Sequence, residues 1–204
     1  MASASTPAET VIIDSGGANL ASLQYAFERL GARTHVTTDA GEISSAARVV
    51  LPGVGAAADA MQRLRNSGVA ALLPRLTQPV LGICLGMQLL FAHSEEGTTA
   101  CLGILPETVR RLRPAPGLPV PHMGWNQLEP VRDDPILDGI TPNEYVYFVH
   151  SYAAPVSAIT LATADYGIPV SAVVRKDNFW GAQFHPERSA GTGARLLANF
   201  LRLN

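Results

Sequence analysis

Apolar positions along the chain fall into short runs of β-prone residues alternating with three- and four-residue repeats, and this alternation predicts most of the elements. Residues 9–13 read as a first strand. Leu20, Leu23, Phe27 and Leu30 then mark the apolar face of a helix with Asn19 as its N-cap and Gly31 at its end. Residues 33–37 and 48–51 read as two further strands, the latter running into Pro52-Gly53-Val54-Gly55. Helical spacing follows around Met61 and Leu64 and over 69–76, before an apolar run that enters Cys84. Strands alternating with helices predict an α/β fold: an open, mostly parallel sheet with helices on both faces. In such sheets ligands bind beyond the carboxyl ends of the strands, where Pro52 to Gly55 and Cys84 fall.

The second half has a different rhythm. Residues 103–105 and 108–112 look like short strands, and the proline-rich stretch 113–119 cannot be helical. Residues 145–149 form a strongly β-prone run and 160–164 a weaker one. The stretches 170–175 and 179–184 pair across Lys176-Asp177-Asn178 as one of several antiparallel hairpins. A last helix is expected over 191–203, with Leu196, Leu197, Phe200 and Leu201 on one face. The expected organisation is a disordered tail over 1–9 and a single domain over 10–204.

Composition narrows the function. With 204 residues, 47% apolar and 16% charged, the chain can fill one good core, and its net charge of −2 with no basic run argues against nucleic acid. No apolar run approaches the ~20 residues of a membrane span. Residues 1–9 lack the pattern of a secretory signal, and two cysteines make no disulfide framework, so a cytoplasmic location is expected.

The chemistry centres on Gly82-Ile83-Cys84-Leu85-Gly86-Met87-Gln88. A strand turning sharply into a helix at Cys84 holds the residue in a strained conformation with its sulfur outward, while Gly82 and Gly86 let two backbones pass closely. The first N–H groups of the helix, Leu85 among them, can hold an oxyanion and favour thiolate. A buried, inert cysteine at a tight packing point has the same local pattern. Two features separate them: Gln88 one turn along the same face, and Gln183-Phe184-His185-Pro186-Glu187 near the C-terminus. In extended chain His185 and Glu187 project to one side, giving a base and the carboxylate that orients it. The Ser15-Gly16-Gly17-Ala18 turn lacks the order of a phosphate-binding loop and reads as a plain strand-to-helix turn. His35, His93, His122 and His150 lack metal-ligand company, so neither metal nor cofactor is expected.

Together these motifs resemble the class I, triad-type glutamine amidotransferases, with a flavodoxin-like open sheet and a Cys-His-Glu triad. Pro52-Gly53-Val54-Gly55, Pro121-His122-Met123-Gly124-Trp125-Asn126 and Tyr147-Phe148-Val149-His150-Ser151-Tyr152 are similar to the glutaminase subunits of imidazole glycerol phosphate synthase. The resemblance implies that Cys84 attacks L-glutamine, His185 shuttles the proton and Glu187 holds the ring. It places the oxyanion hole at Val54, Gly55 and Leu85, and substrate binding at Gly53, Gln88, Ser151 and Tyr152. It also implies a heterodimer with a (β/α)8-barrel cyclase subunit, contacted by Asn19, Pro121, His122, Met123, Gly124, Trp125, Asn126 and Arg188. Three residues depart from the family's usual pattern: Ser15 for tyrosine, Ala18 for glycine and Arg188 for lysine. The competing readings are a glutaminase of another synthase, a free-standing γ-glutamyl hydrolase and a non-catalytic α/β binding module.

Overall fold

The structure, a computed structural model, describes residues 10–16 and 20–204. The expected tail over 1–9 and the N-cap and interface residue Asn19 lie outside the described residues, as does Ala18.

Among the described residues, five strands run parallel in the order β2 (Thr34–Thr37), β1 (Thr10–Ile13), β3 (Arg48–Gly53), β4 (Val80–Cys84) and β13 (Phe179–Ala182). The sheet continues antiparallel through β12 (Pro169–Lys176), β11 (Thr160–Asp165), β8 (His122–Pro130) and β9 (Glu144–His150). β1, β3 and β4 are buried along their whole length, which is why they read as continuous apolar runs. Alternation divides their side chains between two cores. Ile12, Val50, Leu81 and Ile83 meet α1 (Leu20–Glu28) and α6 (Ala190–Phe200) through Leu23, Phe27, Leu196 and Phe200. Val11, Ile13, Val49, Leu51 and Val80 point the other way. They meet α2 (Ala40–Ser45), α3 (Ala57–Asn66), α4 (Val69–Leu72) and α5 (Leu85–Leu90) through Ile43, Met61, Leu64, Val69 and Met87. Helices thus cover both faces, as the sequence predicts.

Several elements differ from expectation. The helix after Cys84 has six residues and stops before Phe91, because the returning chain takes its last carbonyls: Leu102 N–H donates to Leu89 O at 2.9 Å and Ile104 N–H to Leu90 O at 3.0 Å. Phe91 instead opens β5 (Phe91–Ser94) of a second, four-stranded sheet with β6 (Thr99–Ala100), β7 (Leu105–Arg111) and β10 (Tyr152–Ala153). The two short strands expected over 103–112 are the single strand β7. α2 was not expected at all; it is a short helix capped by Asp39, whose carboxylate accepts from Glu42 N–H at 2.9 Å.

The glycines around Cys84 act as the motif requires. A Cβ on Gly86 would overlap the Leu51 carbonyl oxygen, one on Gly82 would lie 2.7 Å from Met87 Cα, and one on Gly53 would lie 2.9 Å from Gly86 N. α5 therefore rests directly on the backbones of β3 and β4, and this contact sets where Cys84 emerges.

Candidate active site

Cys84 ends β4 opposite Gly53 of β3 and immediately precedes α5. Its φ of 53° and ψ of −113° put an L-residue in a region that costs about 1–3 kcal/mol. The strained elbow anticipated from the two flanking glycines is present. Cys84 lines a cleft of about 630 Å³ shared with Gly53, Val54, Gly55, Gln88, Ser151, Tyr152, His185, Glu187 and Arg188.

β13 runs beside β4, so the segment following it reaches the same end of the sheet. His185 N–H donates to Tyr147 O at 2.9 Å and Ser189 Oγ donates to His185 O at 2.7 Å, pinning the backbone that carries the ring. His185 Nδ1 bonds Glu187 Oε1 at 2.9 Å, each side chain 9% exposed. The route to that contact differs from expectation. β13 stops at Ala182, and Pro186–Arg188 is a 3-10 turn, so Glu187 folds back onto the ring rather than reaching it by strand alternation. The ring's Nε2 is buried and meets no partner at ordinary hydrogen-bond geometry among the described residues, yet Cys84 is close enough to act on its charge. Burial is the largest single effect and disfavours the imidazolium. The proximity of Cys84, the hydrogen bond to Glu187 and attraction to both outweigh it, and raise the His185 pKa to about 10. Cys101 is no rival nucleophile, because burial foremost pushes its thiol up to about 11.

Gln88 reaches two partners: its Nε2 donates to Tyr152 O at 2.8 Å and to Gln183 Oε1 at 3.0 Å. With both amide hydrogens held, Oε1 is the atom Gln88 can offer to a ligand's N–H. Two residues of the site went unrecognised in the sequence. Gln183 lies between Gln88 and Cys84, its Nε2 3.9 Å from the sulfur. Glu96 lines the cleft from a 3-10 turn, one carboxylate oxygen accepting from Ala57 N–H at 2.8 Å at the start of α3. Glu96 sits in no local pattern that separates it from an ordinary polar loop residue, whereas Gln183 opens the stretch that carries His185 and Glu187 without any signal of its own role.

β8 and β9 carry the segment expected to face a partner. Met123, Trp125 and Tyr145 are 63%, 52% and 55% exposed, large values for residues of this size, and Trp125 packs edge-on against Tyr147. Trp125 is therefore not a core tryptophan. Arg188 lies over the Tyr147 ring at 4.7 Å, beside this patch. His122 departs from its expected place on that surface: strand alternation turns it inward, where it is buried between the rings of Tyr166 and Phe148. Ser15 is buried too, its hydroxyl donating to Pro52 O at 2.6 Å beneath the Pro52-to-Gly55 loop.

Burial holds both His122 and His150 at a pKa of about 4, with lesser effects on His150 from Tyr152, His122 and His185. An unfolded histidine takes up a proton near 6.5, so between about 6.5 and 4 the unfolded chain binds more protons, and stability falls as pH falls. Each ring contributes a slope of at most ~1.4 kcal/mol per pH unit. His185 has the opposite sign: its contribution is complete below about 6.5 and is lost as pH rises through about 10. Urea midpoints should therefore drop between pH 6.5 and 4.5, and drop less in His122→Asn. Equal slopes in the two proteins would show that the pair does not titrate with folding.

The model of the family "Glutamine amidotransferase class-I" matches residues 11–203. The chain is 56% identical to imidazole glycerol phosphate synthase subunit HisH of Xanthomonas campestris pv. campestris (strain 8004), over 96% of its own length and 98% of that protein. It is 54% identical, with the same coverage, to the HisH subunit of Xylella fastidiosa (strain Temecula1). Among solved structures it resembles a glutamine amidotransferase at TM-score 0.74 and 18% identity, covering 95% of this chain and 97% of that one. A glutamine amidotransferase from Thermotoga maritima gives TM-score 0.64 at 21% identity, covering 91% and 79%. The strained cysteine beside a buried histidine and glutamate thus sits in a chain that belongs to the class-I glutamine amidotransferase family, among the HisH subunits of imidazole glycerol phosphate synthase.

Proposed function

We propose that this chain is the glutaminase subunit of an imidazole glycerol phosphate synthase. It hydrolyses L-glutamine to glutamate and ammonia, and passes the ammonia to a (β/α)8-barrel cyclase subunit that converts PRFAR to imidazole glycerol phosphate and AICAR in histidine biosynthesis. The observation that carries this reading is Cys84 held at positive φ in a cleft beside a ring whose pKa is raised to about 10 by Cys84 and Glu187.

In this reading the Cys84 sulfur, as thiolate, attacks the side-chain carboxamide carbon of glutamine. The carbonyl electron pair moves onto oxygen, and the oxyanion is met by the Leu85 N–H and by one from the Val54-Gly55 peptide. His185 Nε2 gives its proton to the departing nitrogen, so ammonia leaves and a thioester remains. Water then attacks the thioester carbon, His185 takes its proton, and glutamate departs as the thiolate is restored. Glu187 fixes the ring's orientation throughout. Because α5 is only six residues long, its contribution comes from its first N–H groups rather than from a long macrodipole. Gln88 Oε1 and the Ser151-Tyr152 backbone line the substrate pocket. The Glu96 oxygen not used to cap α3 offers a carboxylate for the α-ammonium group.

The exposed Met123, Trp125 and Tyr145 with Arg188 suit a partner subunit docking over the mouth of the cleft. The free thiols Cys84 and Cys101 suit a reducing cytoplasm. Glutamate release measured with and without a cyclase subunit of histidine biosynthesis tests the assignment. The rate should rise at least tenfold in the complex, and further with the cyclase's own substrate bound. Full-speed hydrolysis by the chain alone would identify a free-standing hydrolase instead.

A further inference from the structure

His122 and His150 oppose each other across β8 and β9, and their ring nitrogens, Nδ1 of His122 and Nε2 of His150, lie 3.0 Å apart. The neighbours determine which nitrogen carries each proton. His150 Nδ1 is 2.8 Å from the Tyr152 carbonyl oxygen, which can only accept, so Nδ1 holds the hydrogen and Nε2 is the acceptor. His122 Nδ1 must then donate to it. That leaves His122 Nε2 to accept from Asn126 Nδ2, 3.3 Å away. Every link is satisfied when both rings are neutral, the state that burial favours. The Tyr152 oxygen that ends this chain also accepts from Gln88 Nε2, and His150, Ser151, Tyr152 and Gln88 all line the cleft. The His122 ring has little freedom. Tyr166 stacks on it at 3.9 Å between centroids and Phe148 at 4.7 Å, and Tyr166 is itself tied to Pro119 O at 2.6 Å.

From this chain we infer that His122 is a positioning residue for glutamine: acting through His150, it fixes the Tyr152 carbonyl and with it Gln88 and the Ser151-Tyr152 backbone that the substrate contacts. The inference rests on glutamine occupying this cleft, as proposed above. It also explains why a histidine on the strand that carries the exposed Trp125 points inward: the same strand presents a surface on one side and anchors the substrate wall on the other.

Steady-state glutamine hydrolysis by the complex with the cyclase subunit tests it, using three variants. His122→Leu removes the donor and strands His150 Nε2, and should raise KM for glutamine at least tenfold while kcat stays within twofold. His122→Asn offers an N–H near the Nδ1 position and should return KM to within about threefold of the unaltered protein. Asn126→Ala, at a half-buried position, removes the outer link together with the bond from Asn126 Nδ2 to Asp165 O, leaves both histidines in place, and keeps the test available if His122→Leu does not fold; it should raise KM about threefold. A KM unchanged in His122→Leu, or in Asn126→Ala where His122→Leu does not fold, overturns the inference, as does a His122→Asn no better than His122→Leu or a loss confined to kcat. Failure of the unaltered complex to hydrolyse glutamine would instead overturn the assignment on which the inference rests.

Discussion

Cys84→Ala is expected to lower glutamine-dependent turnover by about 10⁴-fold or more, the scale of loss when a triad nucleophile is removed. Synthesis by the complex from added ammonium salt should persist, since that route bypasses the thioester. Retained glutamine hydrolysis would falsify the nucleophile assignment. A second substitution separates the chemistry from the strain. Cys84 sits at φ 53°, a conformation that glycine adopts without the penalty an L side chain incurs. Cys84→Gly should therefore be at least as inactive as Cys84→Ala, yet more stable than it by about 1 kcal/mol in urea unfolding. Equal stability of the two would mean that the elbow stores no strain. A nucleophile that destabilises its own fold is held by its surroundings, here the close contact of α5 with β3 and β4.

Among the described glycines, Gly86→Ala should be the most damaging alanine substitution. Its Cβ would overlap the Leu51 carbonyl oxygen, a backbone atom in the middle of a fully buried strand that cannot swing aside. The expected cost is about 3 kcal/mol or more, at the upper end of overpacking, with activity lost as Cys84 shifts relative to His185. Gly191→Ala is the matched control: it lies in α6 with nothing near its would-be Cβ, and should stabilise the protein by about 0.5–1 kcal/mol. Denaturant unfolding of the two variants side by side checks both values. A Gly86→Ala protein of ordinary stability would show that α5 can lift from β3 at little cost.

The residues around Cys84 were readable because their constraint is local. A β-branched run, two glycines flanking a cysteine and helical spacing afterwards describe a strand-to-helix elbow within seven positions, and the elbow is where that pattern put it. The parallel half of the sheet was readable for a similar reason, since strands buried on both faces leave continuous apolar runs. The second sheet was not. Phe91 continues the helical spacing of α5, and only the N–H groups of 102–104, arriving from a later turn, stop the helix and start a strand. The contact of Glu187 with His185 was expected by strand alternation and is made by a 3-10 turn, so two different local geometries serve the same pairing.

What the order of residues determined by itself is the chemical inventory: a cysteine that must sit on a sharp turn, a histidine and a carboxylate two apart beside a proline, and glycines wherever backbones meet. What only the tertiary structure decided is which polar groups face one another across the sheet. His122 and His150 stand 28 positions apart and become neighbours through the register of β8 on β9; Glu96 joins the cleft from a distant turn, and Gln183 backs it through Gln88. Periodicity reports which face of an element is buried, but a hydrogen bond between strands depends on register, and register is set by the packing of the whole sheet.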